Sequence, residues 1–250
     1  MKILNLGCGN KTSNSPNVKN FDWSIYHKIK QNALLRKIVL PILDSGRRAY
    51  YNSLPDNIIA HDLRKGIPSE TNSVDVVYHS HIFEHIPKNN ALPFLKEIYR
   101  VLKKGGIQRI VIPDMEILCN ELIEHIKFCD KQNDLTNHEL AKHDNFIDNI
   151  IGQCLQEEST GTGRQSKIRG IIENLIFGNA KKRGHTHLWM YDRINLELLL
   201  RETGFVNIKK LEYNNSDIRK WNEYGLDINE DGTQYKKRSL FLEATKPNNM

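Results

Sequence analysis

The stretch that decides the fold is Met1-Lys-Ile-Leu-Asn-Leu-Gly-Cys-Gly-Asn10. Its apolar part, Ile3 to Leu6, reads as a short first strand. It runs straight into Gly7-Cys8-Gly9 before the chain turns polar. Glycines placed directly after a first strand have two readings. They make a tight turn, or they let a ligand come up against the backbone and meet its amides.

Outward from that turn, strands alternate with helices. Val18 to Asp22 reads as a second strand ending in an acid. Residues 24–50 carry helical periodicity at Ile25, Ile29, Leu34, Leu35, Ile38 and Val39, followed by a basic turn at Gly46-Arg47-Arg48. Ile58 to His61 is a third strand, followed by Asp62, and Asp75 to His79 is a fourth. From Asn90 to Lys104 the apolar Leu92, Leu95, Ile98, Tyr99 and Leu102 recur at three and four, which predicts an amphipathic helix. Gly105-Gly106 is expected to stop it as a left-handed cap. Ile107 to Ile112 is then a β-branched strand closed by Pro113-Asp114. This alternation argues for an α/β, doubly wound, mostly parallel sheet covered on both faces.

Residues 115–185 break the rhythm. They are polar and helical in pattern, with a flexible patch from Ser159 to Gly163, and read as an insertion or lid within a single domain spanning 1–250. The regular pattern resumes with a helix from Asp192 to Thr203, capped by Gly204. Phe205 to Tyr213 and Tyr235 to Ala244 then read as an antiparallel hairpin at one edge of the sheet.

The bulk composition agrees with a globular protein: 250 residues, 39% hydrophobic and 26% charged. No apolar run approaches the roughly 20 residues of a membrane span. The apolar stretch before the glycines is too short for a signal-peptide core, so a cytoplasmic protein is expected. Cys8, Cys119, Cys129 and Cys154 show no framework spacing and are expected to be reduced. The net charge of +6 gathers at Lys181-Lys-Arg183 and Lys236-Lys-Arg238, runs that usually form solvated surface.

The glycine turn of a parallel sheet opens at the carboxyl ends of the strands, where such folds bind ligands. Asp22 and Asp62 end two further strands at that same edge. A carboxylate after the second strand suits two ribose hydroxyls, and one after the third suits an adenine amino group.

Together, LNLGCGN, FDWS, HDLRKGIPSETNSVDVVYHSHIFEHI, LKEIYRVLKKGGIQRIVIPD and YDRINLELLLRETGFVNI resemble the successive motifs of class I S-adenosylmethionine-dependent methyltransferases. The nearest likeness is to the small bacterial type-11-like group often linked to cell-surface polysaccharide genes. The resemblance covers about residues 1–23, 58–114 and 185–214. It implies a Rossmann-like seven-stranded sheet with an antiparallel C-terminal strand and a helical insertion. It also implies binding of S-adenosylmethionine and its product S-adenosylhomocysteine by Asn5, Gly7, Cys8, Gly9, Asn10, Asp22, Asp62, Leu63, His79 and Ser80. Two positions depart from the family's pattern: Asn5 replaces the usual acid of the first strand, and Lys11 the usual third glycine.

His79-Ser-His-Ile-Phe-Glu84-His85 is the stretch richest in chemistry. Read as a metal set, His79, His81 and His85 resemble the HxHxDH of metallo-β-lactamase-type hydrolases. The spacing is one residue too long, however, and Glu84 stands in place of the acid. Under the methyltransferase reading no metal is expected, His81 is the leading base, and Glu84 and His85 pack the following helix onto the loop. Asp114 and His187 (or His185) are weaker candidates. A sulfonium methyl is already electrophilic, so the enzyme's work is alignment plus a base if the acceptor is a hydroxyl. The expected acceptor is a small molecule or glycan. RNA is disfavoured because the chain carries no aromatic-basic RNA motif and no NPPY-type signature.

Overall fold

The computed structural model describes residues 1–154 and 187–248. Strand β1 (Ile3–Leu6) buries every side chain, as an interior strand covered on both faces must. It runs parallel to β2 (Val18–Asp22) on one side and to β4 (Val74–Ser80) on the other. With β3 (Ile58–Ala60), β5 (Leu102–Pro113), β6 (Val206–Leu211) and β7 (Ser239–Thr245) the sheet has seven strands in the order β3-β2-β1-β4-β5-β7-β6. Only β7 runs against its neighbours.

The side-chain period of two sends neighbouring residues to opposite faces. Leu4, Leu6, Val77, Ile110 and Ile112 join one core with α4 (Lys88–Val101) and α7 (Arg193–Thr203), which contribute Leu95, Ile98, Leu196 and Leu200. Ile3, Val76, Tyr78, Val111 and Phe241 face the other way, against Ile218, Trp221 and Leu226. A small third cluster of Ile29, Leu43 and Tyr51 sits under α1 (Ile25–Gln31), α2 (Ala33–Val39) and α3 (Ser45–Ser53). After β5 come α5 (Met115–Cys129) and α6 (Asn137–Cys154). Their shared face includes the His125 and Phe146 rings, 5.2 Å apart. The rest of the expected insertion lies outside the described residues, including the Ser159 to Gly163 patch, Lys181 to Arg183 and His185.

Two local expectations give way to the structure. Gly46-Arg47-Arg48 is not a turn: Asp44 caps α3, and the three residues form its first part. Helix α4 ends at Val101, before the glycines. Its last carbonyls are satisfied from across the fold by Lys246, whose Nζ donates to Tyr99 O at 2.7 Å and Leu102 O at 2.8 Å. Gly105, at φ +73°, therefore serves a bulge inside β5, where its N–H bonds Lys246 O. The expected antiparallel hairpin at one edge of the sheet is present: β6 is outermost, and the buried SLFLEA run of β7 lies between it and β5.

Arg109 of β5 is completely buried. Its Nε donates to Asp227 Oδ2 at 2.6 Å and its NH1 to Glu243 Oε1 at 2.7 Å. Asp227 also accepts from Tyr78 OH and Trp221 Nε1, both at 2.7 Å. Removing one member of a buried ion pair strands the other charge. We expect Asp227→Ala to lower the unfolding free energy by about 3–5 kcal/mol in urea denaturation. Arg201→Ala, which breaks the exposed pair with Glu197, should cost less than about 1 kcal/mol.

Candidate functional site

The register places Leu6 beside Phe21 and His79, so the chain leaves β1 at Gly7 next to the ends of β2 and β4. Gly7 adopts φ +58°, and a Cβ there would lie 1.7 Å from Ile82 Cδ1; both conformation and packing demand glycine. Gly9 adopts φ +51° with nothing near the place of its missing Cβ, so its glycine leaves open space beside the loop. The turn is pinned by Cys8 N to Phe21 O at 3.0 Å and by Gly9 N to Asp22 Oδ2 at 2.7 Å. Asn5 holds it from beneath, its Nδ2 donating to Lys11 O at 2.9 Å and Asn20 Oδ1 at 3.0 Å. The amide thus does the loop-bracing work expected of the residue that replaces the usual acid.

A cavity of about 320 Å³ opens over this turn. Asn5, Gly7, Cys8, Gly9, Asn10, Ser80 and His81 line it, all residues singled out from sequence. Burial, aided by the Asp22 charge, pushes the Cys8 thiol far up, so it contributes as a neutral small group. The remaining wall comes from Lys11, Tyr50, Tyr78, Tyr235 and Lys236, which sequence reasoning missed. Lys11 Nζ donates to Ile228 O at 2.6 Å and lies 4.5 Å from the centre of the Tyr235 ring, which ties the 225–238 segment to the loop. The one available signal was aromatic: Tyr50 follows the Arg47-Arg48 pair and Tyr235 precedes the Lys236 to Arg238 run.

Four cofactor candidates lie outside this lining. Asp22 borders the loop through Gly9 and keeps a side chain 18% exposed, so it retains acceptor capacity. Asp62 is gripped by Arg64, whose Nε and NH2 each donate to it at 2.8 Å. These bonds hold its carboxyl below the usual carboxylate range. Leu63 packs against the main core instead. His79 is a correction: it points into that core, stacked on Phe83 at 5.8 Å and edge-on to Phe94 at 5.7 Å. His81 does not follow it into the core, because β4 ends at Ser80. His81 then takes φ +53°, which breaks the strand's alternation.

His81 is the titratable group at the cavity mouth best placed for chemistry. Its Nε2 lies 2.9 Å from Ser239 Oγ, and its Nδ1 3.3 Å from Glu84 Oε1, an ion-pair distance without hydrogen-bond geometry. Burial would raise the Glu84 carboxyl, but interaction with His81 and the charges of His81 and His85 outweigh it and hold the group below its ordinary value. A left-handed non-glycine residue costs about 1–2 kcal/mol, and such strain gathers at functional sites. Asp114 is not at this cavity: it caps α5, accepting from Glu116 N at 3.0 Å, and pairs with Lys210 at 3.4 Å. His187 is also elsewhere, its Nδ1 donating to Gln153 O at 2.7 Å. His79, His81 and His85 do not converge, so the hydrolase-like metal set is not formed.

Residues 4–110 match the family model described as a methyltransferase domain. No protein of curated function matches the chain by sequence. Solved structures with a similar fold include the CurJ carbon methyltransferase, at 14% identity and TM-score 0.40, covering 99% of this chain and 48% of that one. The Haemonchus contortus phosphoethanolamine N-methyltransferase 2, solved with phosphomonomethylethanolamine and S-adenosylhomocysteine, aligns at 14% identity and TM-score 0.41, covering 99% and 49%. A methyltransferase from Archaeoglobus fulgidus aligns at 14% and TM-score 0.39, covering 98% and 86%. This chain thus spans about half the length of the first two. Among the described residues no helix is long and apolar enough to cross a membrane.

His79 offers a pH test of the core behind this site. Burial pushes its imidazole down to about 4, partly opposed by the Glu84 charge. A base whose folded pKa is depressed stabilises the fold fully above its unfolded value, about 6.5, and loses that contribution as pH falls towards 4. The wild type should lose about 3 kcal/mol across that window, as a shift of this size dictates. His79→Phe, which keeps the stack on Phe83, should flatten that limb in urea melts taken from pH 7 to pH 4.

Proposed function

We propose that this chain, whose residues 4–110 match the methyltransferase-domain family model, is an S-adenosylmethionine-dependent enzyme that methylates a hydroxyl oxygen of a small-molecule or glycan acceptor. The observation that supports oxygen as the target is His81, an imidazole at the cavity mouth with the buried Glu84 carboxylate behind it. Proton removal in the transition state is needed for a hydroxyl nucleophile, and a positioned imidazole is the side chain that most often supplies it. The similar solved structures include carbon and nitrogen methyltransferases, so the choice of atom rests on His81 alone.

The residues present fit the cofactor. Left-handed Gly9 leaves the loop backbone open to close approach, and Asp22 faces the same turn with an oxygen to spare for a ribose hydroxyl. Bound there, S-adenosylmethionine supplies an electrophilic methyl on a positively charged sulfur. His81 Nε2 takes the acceptor's proton as the new O–C bond forms, displacing Ser239 Oγ as its partner. Glu84 orients the ring and stabilises the imidazolium that results. The bound cofactor would supply the methyl and take up the bonding electron pair at sulfur, so charge and atoms would balance. In this reading α5 and α6, which follow β5, frame the acceptor side.

Calorimetry should show S-adenosylhomocysteine binding to the wild type and its loss in Gly9→Val, which fills the open space and strains φ +51°. With tritiated methyl donor and a panel of hydroxylated sugars, His81→Asn should lower kcat about 10²–10⁴-fold and leave product affinity unchanged. Label that survives alkali marks an ether; label released as methanol marks a carboxylate ester. Transfer into RNA, or an unimpaired His81→Asn, overturns the reading.

A further inference from the structure

Glu84 is 1% exposed, and neither of its carboxylate oxygens has a hydrogen-bond partner among the described residues. An ionised carboxylate in that position is costly unless a cation faces it. Two imidazoles do converge on it: ligand atoms of Glu84, His85 and His187 all lie within 4.8 Å of one another. The His85 and His187 rings meet edge to face with centroids 4.8 Å apart. We infer that Glu84, His85 and His187 form a binding site for a divalent first-row transition cation, of the zinc class.

The placement is built into the fold. Leu188 N and Trp189 N both donate to Glu84 O, at 2.8 and 3.3 Å, so the segment bearing His187 is fastened to the residue bearing the carboxylate. His187 Nδ1 donates to Gln153 O at 2.7 Å, which leaves the lone pair on Nε2. A histidine whose second nitrogen donates to a backbone carbonyl is oriented as metal-ligating histidines characteristically are. Small side-chain rotations bring three such atoms to the ~2.0–2.2 Å bond lengths that zinc takes with imidazole and carboxylate. Two nitrogens and one oxygen select zinc, cobalt or iron over calcium or magnesium, which prefer all-oxygen shells. Three protein ligands also leave a position open for water or a substrate oxygen. The cation would stand one residue contact from the cavity, since His81 touches Glu84 and lines the mouth. Resting on the methyl-transfer reading, that open position is where an acceptor hydroxyl would bind and have its proton loosened.

The test uses the full chain stripped with a chelator and reloaded with cobalt(II), whose visible absorption reports its ligands. One equivalent of cobalt should bind, zinc should displace it, and either metal should raise the thermal midpoint. Glu84→Gln and His187→Ala should each weaken binding by at least about tenfold. His187→Ala changes a half-buried residue and serves if the Glu84 variant fails to fold. Absence of stoichiometric cobalt, or equal binding by wild type and His187→Ala, overturns the site. S-adenosylhomocysteine binding measured in parallel separates the two readings. If it persists without metal, only the metal site falls; if metal binds and the nucleoside does not, only the methyltransferase reading falls.

Discussion

The molecule is organised around a guanidinium that cannot reach water. Arg109 sits mid-strand in β5 with no exposure, and its charge must be met inside the fold. Asp227 and Glu243 meet it, and the carbonyls of Glu212, Tyr213 and Asn215 take its remaining donors. This requirement determines the path of the segment between β6 and β7. The segment has to cross the sheet face so that Asp227 arrives at the arginine, and in doing so it covers Ile3, Val76 and Tyr78 with Ile218, Trp221 and Leu226. Tyr235 N then bonds Asp227 O at 2.8 Å, which carries Tyr235 and Lys236 to the cavity wall. One buried ion pair therefore shapes a ligand cavity that it never touches.

At the other side of the cavity the decisive event is the end of β4. Within the strand, His79 faces the core and Ser80 the opening. Had the alternation continued, His81 would have followed His79 into the apolar interior. The left-handed turn at His81 instead brings its ring to the mouth, while Glu84 and His85 fall on the short helical turn behind it. Three histidines within seven residues thus occupy three environments: a core, a cavity and a junction with the His187 segment.

The strands themselves were largely legible because hydrophobic period and turn chemistry speak locally. β1 and β2 have the expected bounds, and α7 has its Asp192 capping box and left-handed Gly204. The glycine turn and its pairing with Asp22 were legible for the same reason. What escaped was decided across long separations. Nothing near Val101 announces that Lys246 closes its helix, so Gly105-Gly106 looked like the stop. Nothing near Tyr235 and Lys236 announces that they reach the cavity wall, since they are carried there by the pairing of Asp227 with the distant Arg109.

The interior place of β7 has a consequence for the order in which the chain can be assembled during synthesis. Ile107 pairs with Thr245, and β6 joins the sheet only through β7. As the chain leaves the ribosome from its N-terminus, β3-β2-β1-β4-β5 can pair while the last strands are still unmade. That intermediate holds Arg109 on an open edge, where its charge stays hydrated and discourages edge-to-edge association with other nascent chains. Glu243 lies on the strand that covers this edge, so the gatekeeper is neutralised by the same element that makes it unnecessary. Closure then depends on contacts spanning more than half of the chain, which places this step among the slow, topology-limited events of folding.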